Sequence, residues 1–242
     1  DGTELAFVAD SDPAPNRSNL DVFTVAIGGA EASNLTADNP ANDGNPAYSP
    51  DGRYLSYSQQ RIKGFYADRM RLMLRERRSG DTRELYPDFD RSISGALWAD
   101  NSKRLYASID DAGTERVYEL PLQGAPRALT GVESIGSLAL SKSGRQTFIE
   151  PPTLVSIDTR RGSTTKLSTI NDALLAATDF GTYESVTYTG ANGAEIQMWV
   201  NYPPGFDKTK KYPFFMLIHG GPHNAITNGM AFRWNAQGFG SW

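Results

Sequence analysis

A repeat constrains this chain more than any other feature. Asp1-Gly2-Thr3-Glu4-Leu5-Ala6-Phe7 returns as Asp51-Gly52-Arg53-Tyr54-Leu55-Ser56-Tyr57 and as Asn101-Ser102-Lys103-Arg104-Leu105-Tyr106-Ala107, at intervals of 50 residues. A weaker fourth copy, Ser143-Gly144-Arg145-Gln146-Thr147-Phe148, follows after 42. Each copy reads as a tight turn entering an alternating strand, and two carry an aromatic residue, Tyr48 and Trp98, just before the turn. A second alternating run follows each copy, over residues 21–27, 70–77, 116–122 and 153–158, and closes on a polar turn. A short third strand ends near Leu35, Leu85, Leu129 and Leu167. Four-stranded antiparallel units recurring every 40 to 50 residues are the pattern of propeller blades. The expected fold is therefore mainly β, a partial β-propeller of about four blades. An open array of four leaves apolar faces and edges uncovered, which predicts further blades upstream. The short fourth interval predicts either a tighter hairpin or about eight residues missing near Gln146.

The pattern changes near residue 170. Residues 171–177 fit a short helix capped by Asn171. Residues 184–202 form a hairpin signal around Ala191-Asn192-Gly193-Ala194. A loop with Pro203-Pro204-Gly205 and the basic run 208–211 follows. Tyr212-Pro213-Phe214-Phe215-Met216-Leu217-Ile218 then reads as a strand buried on both faces. It stops at His219-Gly220-Gly221-Pro222-His223, which cannot continue a sheet. The expected division is 1–170 for the blades and 171–242 for the start of an α/β domain.

From Tyr183 to Gln237 the chain resembles the prolyl oligopeptidase family of serine peptidases. The motifs are Pro203-Pro204-Gly205-Phe206-Asp207, Lys211-Tyr212-Pro213, His219-Gly220-Gly221-Pro222-His223 and Phe232-Arg233-Trp234-Asn235-Ala236-Gln237. With Phe148-Ile149-Glu150-Pro151-Pro152-Thr153-Leu154, they are most similar to the bacterial dipeptidyl peptidase 5 and acylaminoacyl peptidase branch. The resemblance implies a β-propeller joined to an α/β-hydrolase domain. It implies acyl-enzyme hydrolysis that releases dipeptides or acyl-amino acids from the N-termini of short peptides, without a cofactor. It also admits a homodimer formed through the hydrolase part. Such an enzyme needs a serine in Gly-x-Ser-x-Gly, with Asp and His later in the chain. These 242 residues contain no such motif, and both histidines, His219 and His223, precede the place where the serine belongs. The expectation is a truncated stretch, with later segments omitted after Gln237, that does not catalyse by itself. An α/β-hydrolase esterase and a non-catalytic propeller that binds proteins or peptides are the alternative readings.

The resemblance assigns the oxyanion hole to Gly220 and Gly221, with Gly221 as the N–H donor. Acyl transfer places negative charge on the carbonyl oxygen, and glycine leaves that approach clear of side chains. His219 precedes the nucleophile's place, so it is read as buttressing the turn. Glu150, on the blade side, is a candidate for holding the substrate's α-amino group. Arg233 and Trp234 are candidates for lining the cleft, and a substrate-binding role for His219 is also carried. The bland alternatives are a strand-end charge for Glu150 and helix packing for Trp234.

Composition removes other classes. With 24 basic and 28 acidic residues the formal charge is −4, which gives no reason to expect nucleic acid or membrane as a partner. The arginines of residues 61–78 alternate with Met70, Leu72 and Leu74, so they read as the solvated side of a half-exposed strand. Without cysteine, and with two histidines in one pentapeptide, no metal site is expected. Asp10-Ser11-Asp12 lacks the further spaced ligands of a calcium loop. No apolar run reaches the roughly 20 residues of a membrane span. The compartment, periplasmic or cytoplasmic, is not legible.

Overall fold

The computed structural model describes residues 2–12, 19–136, 138–139, 143–147, 150–220, 225–231 and 233–240. It divides into two compact units, residues 1–109 with 118–128 and residues 110–117 with 129–242.

Three antiparallel sheets account for the first unit and the hairpin it shares with the second. The first runs β1 (Glu4–Asp10), β2 (Leu20–Ala26) and β3 (Ser33–Asn34). The second runs β4 (Asp43–Tyr48), β5 (Tyr54–Gln59), β6 (Arg71–Glu76) and β7 (Thr82–Glu84). The third runs β8 (Leu97–Trp98), β9 (Arg104–Asp111), β10 (Thr114–Pro121) and β11 (Arg127–Ala128). In every sheet the strands neighbour one another in chain order, as the repeat predicts for open blades. The repeated turn places the same left-handed residue in three copies, with φ 69° at Gly2, 68° at Gly52 and 56° at Ser102. Serine in this left-handed region is strained. At Ser102 the buried hydroxyl accepts a hydrogen bond from the Asp51 N–H at 3.0 Å.

The sheets stack through their faces. Val22, Leu55, Tyr57 and Met73 form one buried cluster, and Leu72, Leu74, Trp98, Leu105, Ile109 and Leu120 belong to a second. This corrects the reading of residues 69–75. Leu72 and Leu74 face one cluster while Met73, on the opposite pleat, faces the other, so β6 is buried on both sides. A blade with a neighbour on each face has no solvated side. The arginines are therefore drawn into specific partners: Arg71 to Asp68 at 3.0 Å, and Arg75 to the Gly80 carbonyl at 2.7 Å.

The aromatic residues before the repeated turns reach back to the preceding sheet. Trp98 Nε1 donates to Ser56 Oγ at 2.9 Å and to the Ala47 carbonyl at 3.1 Å. Its ring stacks on Tyr54, 6.3 Å away. Tyr48 donates to Glu4 and lies under the Arg77 guanidinium, which stands 4.7 Å from the ring and also meets Glu4 at 3.3 Å. Burial beside that carboxylate pushes the Tyr48 hydroxyl well above its ordinary pKa.

Between the first and second sheets sit two buried carboxyls, Asp21 and Asp43. Asp43 accepts from Asn39 Nδ2 at 2.9 Å and Gln59 Nε2 at 3.0 Å; Asp21 accepts from Asn19 Nδ2 at 2.9 Å and Asn34 Nδ2 at 2.6 Å. Among the described residues no ion pair holds either. Burial, only partly offset by the amides and reinforced by Asp21, pushes Asp43 up to about 6.

A fourth antiparallel sheet, β12 (Ser143–Thr147), β13 (Glu150–Ile157) and β14 (Thr164–Lys166), belongs to the second unit. The fourth repeat copy departs from expectation. Ser143 and Gly144 already pair with Val155 and Leu154, so they lie in the strand and not in a turn. The register shifts between Arg145 and Thr147. Helix α1 (Asp172–Ala176) forms where expected, but Asn171 gives no side-chain cap. Its backbone is helical (φ −103°, ψ −1°), which differs from the extended conformation that aims a capping side chain at the first turn. The predicted hairpin is β15 (Tyr183–Thr189) and β16 (Glu195–Asn201), joined through Asn192 and Gly193. Helix α2 (Ala236–Gly240) takes in part of the tail. Asn235 Oδ1 accepts from the Gln237 N–H at 3.0 Å at its start.

The predicted strand over 212–218 is a correction. These residues form no strand, and Phe214 and Ile218 are each 80% exposed. A strand buried on both faces needs paired neighbours and covering helices. None of the described residues pairs with this run, so its apolar side chains stay in solvent.

Two outcomes test this packing. Trp98→Phe removes the indole donor and should lower unfolding free energy by about 1–2 kcal/mol in urea titration. Combined with Ser56→Ala, it should give a non-additive cycle. Asp43 keeps its proton to about pH 6 when folded, against 3.8 as its reference value. Its stabilising contribution is therefore full below pH 4 and is lost as pH rises through 6. Asp43→Asn should flatten the fall in melting temperature between pH 4.5 and 7.5 by several degrees in calorimetry.

Candidate functional site

The glycine turn follows the exposed apolar run. Gly220 is exposed, and a Cβ built on it would meet no atom within 4 Å. His219, also exposed, places Nδ1 3.2 Å from the Gly220 carbonyl oxygen, a contact open to the tautomer that carries the proton on Nδ1. Gly221 and His223 lie outside the described residues, as does Phe232.

Arg233 and Trp234 come together. The guanidinium stands 5.6 Å from the Trp234 ring, and Trp234 is 54% exposed. Trp234 stacks on Phe239 of α2 at 6.3 Å, and Phe239 stacks on Phe215 at 5.2 Å. The tail thus touches one residue of the apolar run, Phe215, which stays 64% exposed. α2 is also tied down through Gln237, whose Oε1 accepts from the Gly181 N–H at 2.8 Å. Glu150 opens β13, its backbone opposite Thr147. Among the described residues no hydrogen bond or ion pair joins the His219–Gly220 pair to Arg233 or Trp234.

Sequence reading passed over one residue. Asn228 is 1% exposed and joins three segments. Its N–H donates to the Gly113 carbonyl at 3.1 Å, its Nδ2 donates to the Val132 carbonyl at 2.8 Å, and its Oδ1 accepts from Ser134 Oγ at 2.6 Å. Ser134 Oγ in turn accepts from the Glu115 N–H at 3.1 Å. Asn228-Gly229 reads in sequence as a turn signal and nothing more. Its burial depends on partners about 95 to 115 residues away along the chain, which no local pattern reveals. Nearby, Trp199 Nε1 on β16 donates to the Ile226 carbonyl at 3.1 Å.

Among the described residues no three His, Cys, Asp or Glu side chains gather as a metal site, and no helix is long and apolar enough to cross a membrane.

No protein-family model matches the chain. It is 25% identical to the dipeptidyl-peptidase 5 of Porphyromonas gingivalis over 226 residues, 91% of this chain and 33% of that protein. It is 30% identical to a probable dipeptidyl-peptidase 5 of Emericella nidulans over 209 residues, 81% of this chain and 29% of that protein. The chain therefore spans about a third of the length of these relatives. The fold is similar to part of an acylaminoacyl peptidase from Pyrococcus horikoshii, with a TM-score of 0.75 at 16% identity over 97% of this chain and 36% of the other. That likeness takes in the blades and the part after residue 170 together. The sequence likeness to dipeptidyl-peptidase 5 proteins and the fold likeness to an acylaminoacyl peptidase together support a peptidase of the prolyl oligopeptidase family.

Proposed function

We propose that the chain is part of a serine peptidase that removes dipeptides or acyl-amino acids from the N-termini of short peptides through an acyl-enzyme. The observation that carries this is the span of its similarity to the dipeptidyl-peptidase 5 proteins. It covers 91% of the chain, so the likeness extends across the repeats and into the part that follows them. In this reading residues 1–170 supply blades and residues 171–242 open the hydrolase domain. The serine, aspartate and histidine of the triad belong to the parent enzyme outside these residues.

The turn has one chemical task. As the carbonyl carbon is attacked, its oxygen gains charge, and a fixed backbone N–H pointing at that oxygen lowers the barrier. Gly221 supplies this N–H, and the residue after the serine supplies the second. Gly220 is exposed, so the backbone next to the proposed donor is open to solvent. His219 supports the turn through its contact with the Gly220 carbonyl, and triad order excludes it as the base. Glu150 is assigned to the substrate's α-ammonium group. The Arg233–Trp234 pair is assigned to the cleft wall, where an exposed ring and a guanidinium present one apolar and one cationic surface.

The test uses the full-length protein that carries this stretch. A fluorophosphonate probe should label one serine, and dipeptidyl and acyl-aminoacyl anilides should be hydrolysed. Gly221→Pro removes the N–H and should lower kcat by about 10²–10³ with a smaller change in KM, provided its melting curve matches the wild type. Absence of labelling together with absence of turnover would falsify the peptidase reading.

A further inference from the structure

The connection between β5 and β6, residues 60–70, is braced from several sides yet carries apolar side chains into solvent. Asp68 accepts from the Arg61 N–H at 2.6 Å and from the Ile62 N–H at 3.1 Å. Gln60 Nε2 donates to the Tyr66 and Asp68 carbonyls at 2.9 and 2.8 Å. Arg61 and Arg69 both reach Glu84 at 2.8 Å, and Gly64 turns the chain at φ 71°. On this frame Ile62, Phe65 and Tyr66 are 52%, 50% and 71% exposed. A backbone fixed in this way presents its side chains without the entropy cost of ordering a loop on binding.

Tyr66 also walls an open cleft of about 450 Å³ between the first two sheets. Val8, Leu20 and Met70 extend its apolar side, and the amides of Asn42 and Asn45 edge it. Asp43 lies at the cleft too, but it is buried and both its oxygens accept from the Asn39 and Gln59 amides. Asn45 stands at a bulge: Gly44 pairs with Ser58 and Ala47 with Ser56, so two residues of β4 oppose Tyr57 alone. Its φ is 51°, a left-handed backbone that asparagine tolerates better than most residues. Bulges re-aim side chains at binding sites. The Asn45 Nδ2 donates to Ser58 Oγ at 2.9 Å, and its Oδ1 has no hydrogen-bond partner among the described residues. An unused amide oxygen beside an apolar wall matches a peptide group with an apolar side chain next to it. A charged side chain would lose its hydration there and meet no opposite charge.

We propose that this cleft binds a peptide segment through one apolar side chain, which Tyr66 covers, while Asn45 Oδ1 accepts from the neighbouring peptide N–H. The site lies wholly within the first unit and does not rest on the peptidase reading.

The test is photo-crosslinking of the full-length protein that carries this stretch, with the amide of N-acetyl-photoleucine as probe. This molecule sets a diazirine-bearing apolar side chain between two peptide groups, and the crosslinked residues are read by peptide mass spectrometry. Crosslinks should fall in β1, β2, β4 or the 60–70 connection. Excess N-acetyl-leucine amide should suppress them, and the amides of N-acetyl-lysine and N-acetyl-glutamate should leave them nearly unchanged. Tyr66→Ala removes an exposed wall, and Asn45→Gly removes the amide while glycine accepts the same backbone. Each should lower crosslinking at the cleft about threefold to tenfold, the loss of one apolar contact or one hydrogen bond, with an unchanged melting curve. Crosslinks confined to other segments would overturn the proposal. So would competition by the charged amides as strong as by the apolar one, or variants that react like the wild type. Because the readout is the position of the crosslink, the result is independent of whether the protein turns over any peptide.

Discussion

Face-to-face burial of antiparallel sheets is the constraint on which the first unit depends. A sheet with a neighbour on each side has to present apolar residues from both pleats, and β6 does so with Leu72 and Leu74 on one side and Met73 on the other. Once both faces are covered, every polar group in the interior needs an internal partner. Trp98, Tyr48 and Ser102 meet that need by bonding across to a preceding strand or turn. Asp21 and Asp43 meet it with amides in place of cations, and that choice leaves Asp43 holding its proton to an unusually high pH.

The second unit is organised by hydrogen bonds more than by a broad core. Its largest apolar run, 212–218, is exposed, while Asn228 and Ser134 are almost fully buried. A single amide joins three segments far apart in sequence, and the indole of Trp199 adds a second tie to the same loop. Directional bonds fix orientation, whereas apolar contact fixes only proximity.

The repeat and the hairpin at 183–201 were legible in the residues, because turn chemistry and alternation are local properties. Tyr48 and Trp98 stood out as aromatics before a turn, although their partners did not. Three readings went astray for one shared reason. The half-exposed face of residues 69–75, the strand at 212–218 and the silence about Asn228 all concern what covers a residue. Alternation reports that side chains point in opposite directions; it does not report whether one direction ends in water or in another sheet.

By itself, the sequence determined that this protein builds consecutive antiparallel sheets, that a hairpin and a glycine-ended apolar run follow them, and that residues 183–237 carry peptidase motifs without their serine. Only the tertiary structure decided which strands are covered on both faces, which carboxyls are held without a cation, and which buried loop residue, Asn228, joins a distant hairpin tip to residues 132–134. Backbone preference and periodicity act over a few residues and are written in the order of amino acids. Burial is a relation between segments a hundred residues apart, and it exists only once they meet.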